Sequence, residues 1–436
     1  MSEQKPMILS VSLNEWNIDS GIHTQTDLFK YWDSDRVAQI YTRAALPNTS
    51  VCNKFFQISE NAIIKSVITR KPVGRQVENS GVADDESERA MQQEKQLYSI
   101  GHKKKSWLLT IAREYVWLFG KWETKELDQF IEEVNPDVYF IPIYPVVFTG
   151  RIQRYILKKY PKPYVCYLSD DNYSYVNCHG PLSYFHRAWL RKYVKQLAKN
   201  CDEMFTITQT QAKETDLLFD THSVVLTKGV DFSNLEYQEI VLSGPIRMVY
   251  TGNLLIGRDA SLVAISKAME KINQDGEKIV LDIYSPTELK AETMKILNSN
   301  GCHHHGSVSH TEIEAIQKAA DIVVFVESLE KKNRYIARMS FSTKLTDYFK
   351  SGKCIFAIGD ETIAPIEYLR ENDAAVISTD YSEVEGNLRR LVEQPELLNF
   401  YGRNAFECGK RNHNEDLIKE RFVSTFMKAA NSNKEK

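Results

Sequence analysis

Two doubly wound α/β domains in series are what this sequence predicts, and three observations carry the prediction. Short apolar runs alternate with amphipathic helical stretches from the first residues onward. The alternation pauses near residue 240 and restarts at "IRMVYTGNLL". At 436 residues the chain is too long for one ordinary domain and long enough for two. Alternating strand and helix signals are the pattern of a parallel sheet covered by helices on both faces.

The composition permits this. It is 42% hydrophobic and 26% charged, enough apolar material for two cores. A net charge of −3 gives no global basic field, so no nucleic-acid partner is expected and any polyanion site must be local. The seven cysteines show no C-x-x-C pair and are odd in number, which reads as free buried thiols in a reducing compartment. The opening "MSEQKPMILSVSLNEW" lacks the basic and apolar regions of a secretory signal. No apolar run approaches the ~18 residues of a membrane span, so a cytoplasmic protein is expected.

In chain order, "MILSVSL" reads as a buried strand, followed by a loop with Gly21 and a helix. "VAQIYTR" and "KFFQISE" are further strands. Residues 71–95 are polar and acidic and read as a solvated insertion. "KKKSWLLTIAREYVWLFGKW" (103–122) admits two readings. One is a peripheral helix on the inner face of a membrane. The other, preferred, is a core helix burying Trp107, Ile111, Tyr115 and Leu118. Strands at "NPDVYFIPIY", "PYVCYLSDD", 203–207 and "SVVLT" complete a first domain over 1–240. "IRMVYTGNLL", "KIVLDIYS", "HHHGSVS", "DIVVFVES", "CIFAIG" and "DAAVIST" are the strands of a second domain over 241–412. The last helix, within 413–436, has no strand after it and is expected to pack back on the first domain.

Ligands of such sheets bind beyond the carboxyl ends of the strands, at helix starts. In the second domain those ends carry Gly252, Asn253 and Arg258, then Gly306 and Val308. The loop with Arg334 and Arg338 follows, and then Ser342, Thr343 and Lys344 opening a helix. Hydroxyls and a lysine at a helix start add donors and charge to free N–H groups, as an anion requires. The same residues also suit a plain helix cap. Asp347, one turn after Lys344, is placed to accept hydrogen bonds from ribose hydroxyls, or to pair with Lys344 or Lys350 on a solvated face. In the first domain Gly21 and His23 follow the first strand, and Asp170 and Asp171 end another. His303, His304 and His305 have no cysteine pair beside them, and no metal site is assigned.

Three segments carry a resemblance. "STKLTDYFKSGKCIFAIG", "YTGNLLIGRDAS" and "HGSVSHTEIEAIQKAADIVVFVES" resemble, in order, motifs of retaining glycosyltransferases of the GT-B fold, family 4. "LTKGVDFSN" is similar to their hinge. The resemblance implies two Rossmann-like domains facing each other across a cleft. A nucleoside-diphosphate sugar, most simply a UDP-sugar, would be held by the second domain and a carbohydrate or lipid-linked acceptor by the first. It implies no further cofactor and no metal. Arg258 and Lys344 fall on the diphosphate-binding positions, Asp347 on the ribose position, and Gly306 to Val308 where backbone holds the base. Asp170 is the first-domain candidate for proton transfer, with Gly21, His23 and Asp171 as acceptor-binding candidates. The sequence departs from the family at Met339, where a glutamate is usual, and at Asn253, where a cation is usual. A nucleotide-sugar epimerase of the same fold, or a non-catalytic partner subunit, are the alternative functions.

Overall fold

The computed structural model describes residues 4–17, 24–79, 91–92 and 107–432. The chain forms two compact units. One comprises residues 1–226 with 418–436, the other residues 227–417.

The first unit is built on an eight-stranded sheet. Its strands are β1 (Ile8–Val11), β2 (Val37–Tyr41), β3 (Lys54–Gln57), β4 (Arg75–Val77), β5 (Val138–Pro142), β6 (Tyr164–Leu168), β7 (Glu203–Thr206) and β8 (Ser223–Val225). Their order is β4-β3-β2-β1-β5-β6-β7-β8. All pairs are parallel except β3 with β4. A parallel sheet is covered on both faces, so its strands read as unbroken apolar runs. In β6, Tyr164, Cys166 and Leu168 enter one core with Trp117 and Phe148. Val165 and Tyr167 enter the other with Phe29, Phe422 and Phe426. The last three lie on the Thr24–Phe29 and Glu415–Asn431 helices, so the C-terminal helix covers one face of this sheet.

Two sequence expectations differ from the structure here. Arg75–Val77, inside the stretch read as a solvated insertion, is an antiparallel edge strand. An edge strand is held by backbone bonds and needs no apolar pattern. The Trp107–Phe119 helix turns a different face inward. It buries Ile111, Glu114 and Trp117, while Tyr115 is 44% and Leu118 38% exposed. The Glu114 carboxylate accepts from Val147 N (2.8 Å), Phe148 N (2.9 Å) and His186 Nε2 (3.1 Å). It thereby caps the Val147–Lys159 helix, whose own N-cap, Val146, has no side chain to do so. Lys103–Lys105 lie outside the described residues.

The second unit has a six-stranded parallel sheet. Its strands are β9 (Ile246–Thr251), β10 (Ile279–Tyr284), β11 (Cys302–Gly306), β12 (Ile322–Val326), β13 (Cys354–Ile358) and β14 (Val376–Ser378). Their order is β11-β10-β9-β12-β13-β14. Residues from Thr227 belong to this unit, not from 241 as the sequence suggested. The reason is local pairing. Val230 exchanges backbone bonds with His413 and Glu415, and Phe232 and Tyr237 pack on Phe406. All seven cysteines are free thiols, six of them buried. Among the described residues no helix is long and apolar enough to cross a membrane.

Candidate functional site

In the second unit the strand order reverses between β9 and β12. The chain leaves β9 toward β10 on one side and β12 toward β13 on the other. The crevice beyond their carboxyl ends is therefore the ligand position of this sheet. Gly252 follows β9 and Glu327 follows β12. The Arg258–Ile272 helix begins over the first, and the Thr343–Ser351 helix brings Lys344 to the same place.

These side chains form one cluster. The Arg258 guanidinium donates to Glu327 in a fork, Nη2 to Oε1 at 2.8 Å and Nε to Oε2 at 3.1 Å. Its Nη1 donates to Asn253 Oδ1 at 2.9 Å. Tyr250 OH donates to the Asn253 carbonyl at 2.5 Å. Lys344 Nζ lies 5.2 Å from the centre of the Tyr250 ring. It lies so close to Gly252 that a Cβ there would be 1.7 Å from Nζ. Gly252 has φ +142, a conformation L side chains rarely adopt, so both backbone and space demand glycine. Tyr250, Arg258, Glu327, Ser342, Lys344 and Tyr348 line a small cavity.

Two cations face one carboxylate, so the cluster carries a surplus positive charge. Burial, and then the Arg258 charge, pull the Lys344 ammonium down from 10.5 to about 8, with Glu327 opposing them. Desolvation of a cation that lacks a full counter-charge has this effect. Ser342 is the N-cap of its helix, in extended conformation, and its side chain makes no capping bond. The first turn beside Lys344 therefore has no side-chain cap from its own N-cap residue, and of its N–H groups Leu345 N donates to the Ser342 carbonyl at 3.0 Å. Such an arrangement suits a diphosphate.

The structure thus brings together Gly252, Asn253, Arg258, Ser342 and Lys344, with Thr343 between the last two at the helix start. Gly306, with φ +78, and Val308 lie at the end of β11, separated from β9 by β10. Beside them His305 donates or accepts at Asp282 (2.6 Å) and stacks on Tyr284. Among the described residues there is no group of three or more side chains able to hold a metal ion. Asp347 pairs with neither Lys344 nor Lys350. Its carboxylate accepts from Lys228 Nζ at 3.0 Å, and Lys350 pairs with Glu314. Arg334 is held against Asp360 at 3.0 Å.

In the first unit Asp170 is exposed, and its carbonyl accepts from Gln211 Nε2 at 3.0 Å. The Asp171 carboxylate accepts from Ser174 N at 2.9 Å, closing a turn. Gly21 and His23 lie outside the described residues. Sequence reasoning missed two features. Glu327 looked like the end of a strand, although an acid following a strand at the reversal point is in reach of Arg258. A second is a chain at the β1/β5 reversal. Trp16 Nε1 donates to Gln25 Oε1 (3.1 Å), and Gln25 Nε2 donates to Tyr144 OH (2.9 Å). Burial pushes the Tyr144 phenol up to about 12.

No family model and no curated protein matches this chain. Solved structures match its fold. Alr3699/HepE of Anabaena, in complex with UDP-glucose, is 10% identical with a TM-score of 0.59, over 97% of this chain and 99% of that one. The trehalose 6-phosphate synthase of Burkholderia multivorans is 10% identical with a TM-score of 0.60, over 99% and 98%. The sucrose-phosphate synthase of Thermosynechococcus elongatus is 10% identical with a TM-score of 0.59, over 97% and 98%. At these identities the likeness is one of fold, and this chain has the GT-B fold.

Proposed function

We propose that the chain is a glycosyltransferase that takes a nucleoside-diphosphate sugar, most simply a UDP-sugar, into its second unit. The observation that carries this reading is the convergence of Gly252, Arg258, Lys344 and an uncapped helix start at the β9/β12 reversal. The fold neighbour in complex with UDP-glucose, Alr3699/HepE, supports the nucleotide class. Transfer to a carbohydrate or lipid-linked acceptor, with retention, is the finer part of the proposal and rests on the motif resemblance.

Each residue then has a task. As the anomeric bond breaks, charge grows on the departing diphosphate. Lys344, Arg258 and the helix N–H groups meet it already oriented, which is the economical way to stabilise developing charge. Glu327 and Asn253 hold the Arg258 guanidinium in its plane. Gly252 lets the lysine and the ligand approach the backbone. Gly306 and Val308 offer backbone groups to the base, and Asp347 turns from Lys228 to the ribose. The leaving phosphate oxygen takes the acceptor proton on the same face, so no pair of carboxylates at glycosidase spacing is needed. In the first unit Asp170 is the candidate that orients the acceptor hydroxyl for that proton transfer, and Asp171 with the Trp16–Gln25–Tyr144 chain are the acceptor-binding candidates.

The test is direct. A thermal-shift panel of UDP, GDP, ADP and CMP should single out one base, with ~2.7 kcal/mol of added stability at ~100 times the dissociation constant. NMR of the product formed with the matching sugar then reports the anomeric configuration. Inversion would reject retention. Donor consumed without an acceptor would favour an epimerase. Binding without any turnover would favour a non-catalytic subunit.

A further inference from the structure

The first unit carries an exposed aromatic surface that the chemistry above leaves unused. On the Trp107–Phe119 helix, Leu108, Ala112, Tyr115 and Phe119 recur at helical spacing on the side away from the core. Leu108 is 64% and Phe119 57% exposed. On the Pro181–Lys199 helix, packed beside it, Leu182, Phe185 and Trp189 share a face, with Phe185 51% exposed. The two stripes meet where the Tyr115 and Trp189 rings lie 5.7 Å apart, and Phe185 lies 6.3 Å from Trp189. Tyr184 adds a stack with Tyr175 at 5.6 Å. A contiguous exposed apolar surface of this kind marks an interaction site.

The same face of the second helix continues as Lys192 and Lys199, with Lys195 on its flank, all exposed. That helix also carries Arg187 and Arg191, and no acidic residue. We infer that this surface docks on a bilayer with anionic headgroups. Charge selects that occupant. A second copy of the chain would bring the same cationic helix against itself, and like charges there oppose a two-fold contact. Lysine is depleted from protein–protein interfaces, whereas tyrosine and tryptophan over a lysine rim are the composition of a membrane–water boundary. The apolar stripe enters the acyl boundary, and the lysines rest on the headgroups.

The experiment is flotation of the full chain with vesicles of phosphatidylcholine alone or mixed with phosphatidylglycerol. The chain is expected to float with the mixed vesicles, less so at high salt, and weakly with the neutral ones. Each lysine near an anionic surface contributes about five-fold in partitioning, so Lys192→Glu/Lys195→Glu/Lys199→Glu together should lower it by about 100-fold or more. Phe119→Ser with Phe185→Ser, at exposed positions, should lower it independently while leaving the melting temperature near that of the wild type. Equal flotation with both vesicles, no flotation, or unchanged flotation of the lysine variant would overturn the inference. So would a dimer in sedimentation that Phe185→Ser dissociates, which would assign the surface to a second copy.

Discussion

Titrating Lys344 tests the site most directly. Its ammonium is held at about 8, against 10.5 for an ordinary lysine, by burial and by Arg258. A diphosphate binds the charged form, so binding must return the lysine toward its ordinary value and take up a proton above pH 8. With a folded-state value of about 8, about nine in ten molecules are charged at pH 7 and about one in ten at pH 9. UDP affinity should therefore fall about tenfold across that window. Little else in the cluster titrates there. The phosphate is fully ionised above about pH 7, and burial pushes the Tyr250 phenol far up. Calorimetry in buffers of different ionisation enthalpy reads both affinity and proton uptake. Lys344→Met should show a weak, flat profile. Its stability should move the other way. Between about 8 and 10.5 the unfolded chain binds more protons than the folded one, so stability rises with pH, and the cost of the buried charge is fully present below 8. Removing that charge should stabilise the fold at pH 7, by on the order of 3 kcal/mol at most. A wild-type affinity that stays constant from pH 7 to pH 9, with no proton uptake, would refute the assignment of Lys344 to the diphosphate.

Three further outcomes are expected. Gly252→Ala places a methyl 1.7 Å from Lys344 Nζ and must displace the lysine; UDP affinity should fall at least about tenfold, and with backbone strain of ~1–3 kcal/mol the melting temperature should drop too. Unchanged affinity in calorimetry would show that the lysine's present position is not required. Asp347→Ala should raise KM for the donor by ~10–100-fold with kcat little changed, since a ribose bond worth ~1.5–3 kcal/mol is the same in ground and transition states; steady-state kinetics showing a loss confined to kcat would reject the ribose role. Glu114→Gln keeps the shape but offers one acceptor oxygen where two backbone N–H groups and His186 need two, and should cost ~2–3 kcal/mol in urea unfolding; a cost below ~0.5 kcal/mol would mean the cap is redundant.

The sheets were legible because burial on both faces leaves an unmistakable trace. Val138–Pro142, Tyr164–Leu168 and Ile322–Val326 are apolar at every or nearly every position. The edge strand Arg75–Val77 carries no such trace, because backbone pairing alone makes it a strand. The Trp107–Phe119 helix shows the limit of periodicity. Its spacing fits three faces, 107/111/115/118, 108/112/115/119 and 111/114/117, and all three contain large apolar side chains. Glu114 argues against the third face when read as a charge, and for it when read as the acceptor that a neighbouring helix start lacks. Only the position of Val147 and Phe148 decides between those readings, and they are more than thirty residues away in sequence.

The site divides in the same way. Gly252, Arg258 and the Ser342–Lys344 start could be named as neighbours because a parallel sheet fixes where its strand ends converge, so the residues after each strand could be read in order. What they contact could not be read. Asp347 was weighed against Lys344 and Lys350, its neighbours on the helix, and its partner is Lys228. Glu327 stood as the end of "DIVVFVE", yet it is the counter-charge of Arg258. That pairing bears on the departures from the family motif. With Asn253 in place of a cation, the cluster holds Arg258 and Lys344 against Glu327, a surplus of one charge. A diphosphate carries more than that, so under the proposed function the remaining neutralisation would fall to the helix N–H groups and the glycine backbone. The consequence is an affinity that depends on one titrating lysine more than it would in a site with three cations. The pH profile is therefore the sharpest discriminator between a working diphosphate site and a fold that has kept only its outline.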